Sequence, residues 1–250
     1  MKVSAELYYL FRDLRMGALP DVYMDIRKQA ENEGLSYDKF LERLLQAEKD
    51  ERYQKKVDRL LRSSRLPLGK TLDSFDTKRL PVSTQRKMTS LLNGDFLSRK
   101  ENILVFGKPG SGKTHLVCAI GHELVLQGHK ILFTTAQMLV QSLLVAKRDL
   151  WLAKQVKKLS AYEAVFIDDI GYVQQSREEM EVLFTLLSER YETGSIMLTS
   201  NLPFSKWQEI FKDPMTTAAA IDRLVHHSLV IELNVKSYRM EQAKGGQKGR

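Results

Sequence analysis

The sequence predicts an α/β fold: a five-stranded parallel sheet flanked by helices, preceded by a small all-helical N-terminal domain. Three observations predict it. From residue 83 onward, short apolar runs alternate with longer helical stretches, the pattern of a parallel sheet covered on both faces. The first of these runs ends in a glycine-rich loop that opens a helix. Before residue 66 the apolar residues recur at helical spacing. A chain of 250 residues is long enough to bury a real core beside a small module.

The elements follow in order. A first helix is expected over Ser4–Met16, with Gly17 and Pro20 as punctuation. A second runs over Asp21–Glu33 and ends at Gly34, and Ser36 caps a third. Tyr8, Tyr9 and Phe11 are expected to form the core of this module. The third helix carries Phe40, Leu41, Leu44, Leu45 and Ala47, and nothing breaks it between Tyr37 and Leu66. Pro67, Gly69 and Pro81 then mark residues 67–82 as a linker between a helical domain (1–66) and a larger domain (83–240). In the larger domain Ser83 caps a helix running to about Leu97. Strands are expected at Ile103–Phe106, Lys130–Thr135, Ala164–Ile167, Ser195–Thr199 and Leu229–Leu233. Residues 241–250, ending GGQKGR, read as a disordered basic tail.

Composition narrows the function classes. Hydrophobic residues are 43% and charged residues 28%, as in an ordinary soluble domain. No window reaches the ~20 apolar residues of a membrane span, and charges break the apolar N-terminal stretch too early for a signal peptide. A single cysteine, Cys118, excludes an internal disulfide and fits a reducing bacterial cytoplasm. It falls on the apolar face of a helix and is expected to be a buried, unreactive residue. His122, His129, His226 and His227 lack zinc-ligand spacing. The net charge of +8 points to a polyanionic partner, nucleic acid above all.

One motif carries the chemistry. Gly107, Lys108, Pro109, Gly110, Ser111, Gly112, Lys113 and Thr114 match GxxxxGK[ST], after an apolar strand and before a helix as the motif requires; His115 follows. Glycines permit a loop whose amides turn inward, forming an anion nest at a helix N-terminus. Lys113 is expected to reach the β- and γ-phosphates of ATP, and the Thr114 hydroxyl to ligate Mg²⁺. A chance glycine turn would lack the strand and the helix. Ala164–Ile167 runs into Asp168 and Asp169, the Walker B pattern. Asp168 is expected to hold Mg²⁺, directly or through water. Asp169 is placed to orient or deprotonate the attacking water. A strand lies between the two motifs in sequence, which predicts a sheet with another strand separating the two motif strands. The next strand ends Thr199-Ser200-Asn201, placing Asn201 to sense the γ-phosphate; an Asn in this position is also a common turn former. Asp169 and Asn201 favour transfer to water over a small-substrate kinase.

Together GKPGSGKTHL, FIDDIGY, TSN, IDRL and SYR resemble the AAA+ branch of the helicase loader DnaC and the transposition regulator IstB, with DnaA a more distant relative. The resemblance covers residues ~70–240, and the basic third helix running into RLPLGKTLDSFD is closer to the IstB type. It implies an AAA+ ATPase domain. It also implies that Arg223, in the IDRL segment, is an arginine finger acting on a neighbouring subunit's ATP; the alternative is an ion pair with Asp222 or Glu232. Arg190 is a second candidate at that interface. The chain ends soon after Arg239, so the helical lid of many AAA+ proteins, with its arginine, is not evident, and Arg239 in SYR is not assigned that role.

Two basic clusters remain. In the first, Arg52, Lys55, Lys56, Arg59, Arg62, Arg65 and Lys70 stand against Asp58 alone; in the second, Lys147, Arg148, Lys154, Lys157 and Lys158 against Asp149 alone. Either these are solvated helix faces or they hold DNA phosphates without reading sequence. Lys55, Lys56, Arg59, Arg62, Arg148, Lys154, Lys157 and Lys158 are the DNA-binding candidates. Trp151, inside the second cluster, is expected to be a packing anchor. The leading expectation is an ATP-dependent transposition regulator. It would self-assemble on duplex DNA through inter-subunit ATP sites, prepare the target and recruit the transposase, with hydrolysis driving release. The alternative is a DnaC-like helicase loader acting as a protein adaptor.

Overall fold

Five strands form one sheet in the computed structural model, which describes residues 3–172, 176–202, 222, 224–235 and 237–238. They are β1 (Asn102–Gly107), β2 (Ile131–Thr135), β3 (Ala164–Asp168), β4 (Ser195–Ser200) and β5 (Ser228–Leu233). Their order is β2-β3-β4-β1-β5, and every pairing is parallel. The five expected strands therefore all exist, and β4 is the strand that separates β1 from β3.

Alternation along each strand builds two cores. Leu104, Phe106, Leu132, Val165, Ile167 and Leu198 face one side. There they pack on α7 (Ala136–Arg148), α8 (Leu152–Ser160) and α9 (Arg177–Arg190). Ile103, Val105, Ile131, Phe166, Met197 and Ile231 face the other, against α6 (Lys113–Leu126), α4 (Val82–Leu92) and the short α5 (Asp95–Ser98). Burial on both faces is why the central strands read as unbroken apolar runs. The helix expected from Ser83 to Leu97 is two helices, because Gly94 takes a φ of 78° that ends the first.

The chain divides into two compact units, Met1–Arg59 and Leu60–Arg250. The stretch expected as a linker joins the second core. Leu66 and Leu80 are buried there, with Phe75 packed against it, and Thr77–Arg79 makes one 3-10 turn. Apolar residues spaced among prolines carry no periodic signal, so this burial was invisible locally.

The first unit holds α1 (Ala5–Asp13), α2 (Leu19–Glu33) and most of α3 (Tyr37–Ser64). Its aromatic core is Phe11, Tyr23 and Phe40, with ring centroids 5.8 and 6.0 Å apart in sequence. Tyr8 and Tyr9 are instead 40% and 64% exposed, since they lie off the face that Phe11 buries. Buried Glu48 accepts backbone N–H bonds from Gly17 (3.2 Å) and Ala18 (2.8 Å) and an ion pair from Arg52 (2.7 Å). It ties the α1–α2 turn to α3. Burial alone would raise its pKa, but the bonds from Ala18 and Arg52 outweigh burial and hold it below the ordinary 4.5. Its stabilising effect is therefore full above that ordinary value and lost as pH falls through the lowered one. Glu48→Ala is expected to destabilise this unit by about 2–3 kcal/mol by orphaning the two amides. Faster amide hydrogen exchange in α1 and α2 is the readout.

Candidate functional site

The loop between β1 and α6 follows from its glycines. Gly110 and Gly112 hold φ of 79° and 94°, in the left-handed region that favours glycine. Gly107 is needed for space instead: a Cβ there would lie 2.8 Å from the Leu233 carbonyl oxygen. Lys113 opens α6 and is 6% exposed, with Nζ donating to the carbonyls of Gly107 (2.9 Å) and Lys108 (3.3 Å). Its charge thus sits over the loop, at a helix N-terminus whose amides favour anions. The Ser111 hydroxyl is buried in the same loop and has no hydrogen-bond partner among the described residues. A buried donor left without a partner suits a loop that receives phosphate oxygens. Lys108 and Pro109 are exposed at its rim.

Asp168 ends β3 and is buried. Its Oδ1 accepts the Thr114 hydroxyl at 3.0 Å and the Thr199 hydroxyl at 2.6 Å. The Asp169 N–H in turn donates to Thr199 Oγ1 at 2.9 Å. One hydroxyl on β4 therefore holds both acids of the Walker B pair. Asp169 has a φ of 58°, sparsely populated by residues other than glycine, asparagine and aspartate. Asn201 follows β4 directly and packs where Gly171 has no side chain; its Oδ1 is buried without a hydrogen-bond partner among the described residues. Lys113, Thr114, Asp168, Asp169 and Asn201 thus converge at the C-terminal ends of β1, β3 and β4, the edge where open parallel sheets place ligands. Hard oxygens from Thr114 and Asp168, side by side, are the donor type Mg²⁺ prefers.

Beside the loop, a small cavity is lined by Phe75, Arg79, Ser111, Gly112, His115 and Tyr238, among others. The Phe75 ring meets the His115 ring edge-on at 5.1 Å. His115 Nε2 lies 3.0 Å from Ser74 Oγ and 3.2 Å from the Thr71 carbonyl oxygen. Burial lowers the His115 pKa, favouring the neutral ring. The Tyr238 N–H donates to the Gly110 carbonyl at 3.0 Å, and the Arg79 guanidinium lies 5.1 Å over the Tyr238 ring. Segments 71–79 and 237–238 thus wall the phosphate loop. Thr199, Phe75 and Tyr238 were not legible as site residues: Thr199 falls in TSN and Tyr238 in SYR, but no local pattern shows what a strand-end hydroxyl or an isolated aromatic will touch.

Other expected residues fall elsewhere. Arg223, Arg239 and the 241–250 tail lie outside the described residues. Arg190 does not reach the site. It is 1% exposed and donates to the carbonyls of Leu159, Tyr162, Glu163 and Ser195 at 2.9–3.2 Å. Those carbonyls lie just before β3 and at the start of β4, the opposite end of the sheet. Burial lowers its pKa to about 10, so it remains a cation; the carbonyl dipoles engage both terminal nitrogens, while its buried Nε has no hydrogen-bond partner among the described residues. Its place at a helix end suited either role; packing decided. Cys118 is fully buried and its thiol is pushed up to about 12 by burial, as an unreactive core residue should be.

Of the DNA candidates, Lys55 pairs with Glu51 at 3.0 Å and Arg148 with Asp149 at 2.8 Å. Lys147 of the same cluster pairs with Glu181 at 2.8 Å. Lys56, Arg59, Arg62, Lys154, Lys157 and Lys158 are exposed. Trp151 is 38% exposed, so it is not the buried anchor expected. No helix among the described residues is long and apolar enough to cross a membrane.

Comparison with known proteins agrees with this geometry. The family model described as IstB-like ATP binding protein matches residues 10–245. An insertion-sequence ATP-binding protein of Sinorhizobium fredii is 41% identical over 96% of this chain and 81% of its own. The ATP-binding protein of insertion sequence IS21 from Pseudomonas aeruginosa is 37% identical over 96% of this chain and 90% of its own. Among solved structures, the DnaC helicase loader superposes with a TM-score of 0.55 at 18% identity, covering 68% of this chain and 98% of that one. At that identity the likeness concerns the AAA+ fold alone.

Proposed function

The chain belongs to the family of IstB-like ATP-binding proteins, and on that premise we propose that it is an ATPase that assembles on duplex DNA and regulates transposition of an insertion sequence. The observation that carries the ATPase reading is the shared hydroxyl of Thr199, which holds the Walker B acids against Thr114 of the phosphate loop. ATP would lie with its phosphates over the 107–114 loop, with Lys113 as the cation and the amides of α6 as donors. Its base would face the cavity walled by Phe75, His115 and Tyr238. Thr114 and Asp168 would hold Mg²⁺, which offsets charge on the transferred phosphoryl group. Asp169 orients or deprotonates water, Asn201 senses the terminal phosphate, and Arg223 enters a neighbouring subunit's site. A finger supplied in trans makes the isolated protomer a slow ATPase.

The family membership supports the transposition reading over the helicase-loader one, since the relatives are proteins of insertion sequences. The cognate transposase is then the protein partner, and assembly through inter-subunit ATP sites gives a homo-oligomer. Sizing the protein with ATP and Mg²⁺, with and without duplex DNA, tests this. Assembly is expected only with both ligands present. A protein that stays monomeric on DNA under every condition removes the trans-finger mechanism and leaves the protein-docking adaptor.

Thr199 offers a finer test. Thr199→Val removes the 2.6 Å bond to Asp168 and the acceptor of the Asp169 amide. A hydrogen bond to a charged group contributes about 1.5–3 kcal/mol, so turnover is expected to fall roughly ten- to a hundredfold. ATP affinity should hold and Thr199→Ser should restore the rate. A Thr199→Val variant that turns over like the parent, with the loss confined to Thr199→Ser, would mean that the methyl packing matters, not the hydroxyl.

A further inference from the structure

The ends of the two basic clusters, far apart in sequence, meet in one place. A cleft of about 470 Å³ opens beside β2, the terminal strand of the sheet. All of its lining lies in the second unit. Arg62 and Arg65 enter from the end of α3 and the residue following it, and Lys158 from α8. All three are exposed, and their charged groups have no ion-pair partner among the described residues. Among the described residues no acidic side chain lines the cleft. The side-chain amide of Gln155 is also without a partner among the described residues, and Leu132, Met138 and Leu139 provide an apolar floor. Beyond the rim, Lys154 and Lys157 continue the row of exposed cations along α8, without an ion-pair partner among the described residues.

Three converging cations without counter-charges repel one another and are stabilised by an anion that spans them. Guanidinium forks match phosphate oxygens bidentately, and an ammonium supplies a point charge. The row continues past the cleft, which suits an extended polyanion with regularly spaced charges better than a compact ligand. The apolar floor accepts the sugar edge. We infer that this cleft binds the phosphodiester backbone of one strand of duplex DNA, making Arg62, Arg65, Lys158 and Gln155 one nucleic-acid surface. The assignment rests on the DNA-binding reading above and adds the place.

The test uses the full chain and fluorescence anisotropy of a labelled duplex of mixed sequence across a salt series. The variant Arg62→Gln/Arg65→Gln/Lys158→Gln is compared with Lys28→Gln/Lys39→Gln/Lys49→Gln, which removes the same charge from exposed positions of the first unit. The cleft variant is expected to lose on the order of 10- to 100-fold in affinity, and its log–log salt slope to flatten by roughly 2–3, about 0.9 for each phosphate contact removed. The control should keep the parent slope. Binding of a fluorescent ATP analogue, unchanged in both, shows that the fold is kept. Equal losses in both variants would reduce the effect to net charge and overturn the assignment, as would a cleft variant that binds like the parent. Titration with polyglutamate is the third arm: a cleft variant that loses polyglutamate yet keeps the duplex is a protein-docking cleft, and the assignment falls. A parent chain that binds no duplex at any salt overturns the DNA-binding reading itself.

Discussion

Lys113→Ala is expected to abolish useful ATP binding, lowering affinity on the order of 10²–10³-fold. The side chain is almost fully buried, and its ammonium is held over the phosphate loop by the carbonyls of Gly107 and Lys108. Truncating one partner of a desolvated, hydrogen-bonded charge pair costs about 2–5 kcal/mol, and each 1.4 kcal/mol is about tenfold in affinity. The amides of α6 and Ser111 remain, so some weak binding should persist. The ligand-free fold should survive, because the lysine head bonds to loop carbonyls and not to the core. A thermal scan separates these effects. Without nucleotide the parent and variant should unfold within a few degrees of each other. The upward shift caused by ATP, which grows with ligand concentration over Kd, should vanish in the variant alone. A variant that keeps the shift would place the main phosphate contact elsewhere.

Asp169→Asn is expected to separate binding from chemistry. Asn tolerates the left-handed backbone conformation that Asp169 adopts at φ 58° nearly as well as Asp does. Its N–H still donates to Thr199, so the loop should keep its shape. The change removes the carboxylate's ability to orient or accept a proton from water. General-base contributions run to about 10²–10⁴-fold, and turnover should fall by that order while ATP affinity holds within a few-fold. DNA-dependent assembly in ATP should then persist longer than in the parent, since hydrolysis no longer ends it. Turnover within a few-fold of the parent would move the base to another residue. Loss of both binding and turnover would mean that the carboxylate organises the metal site.

Local sequence determined much of this protein. The apolar runs marked all five strands, because strands buried on both faces need no partner to be recognised. GKPGSGKT fixed the phosphate loop, since its glycines, lysine and threonine are neighbours whose roles follow from one turn of backbone. The acids of FIDD declared themselves because they end a strand downstream of that loop. Folding settled the rest. That some strand parts the two motif strands was readable, but that it is β4 was not, and this order brings the Thr199 hydroxyl to Asp168. The segment read as a linker is drawn into the core by Leu66 and Leu80, and Phe75 thereby reaches His115. Arg190, a plausible site arginine by position, is instead buried among carbonyls at the far end of the sheet. Arg62, Arg65 and Lys158 share one cleft because the end of α3 and α8 both reach the β2 edge. Short-range spacing specifies elements and contiguous loops. Contacts between residues distant in the chain depend on strand order and on which surfaces bury together, and no local pattern records either.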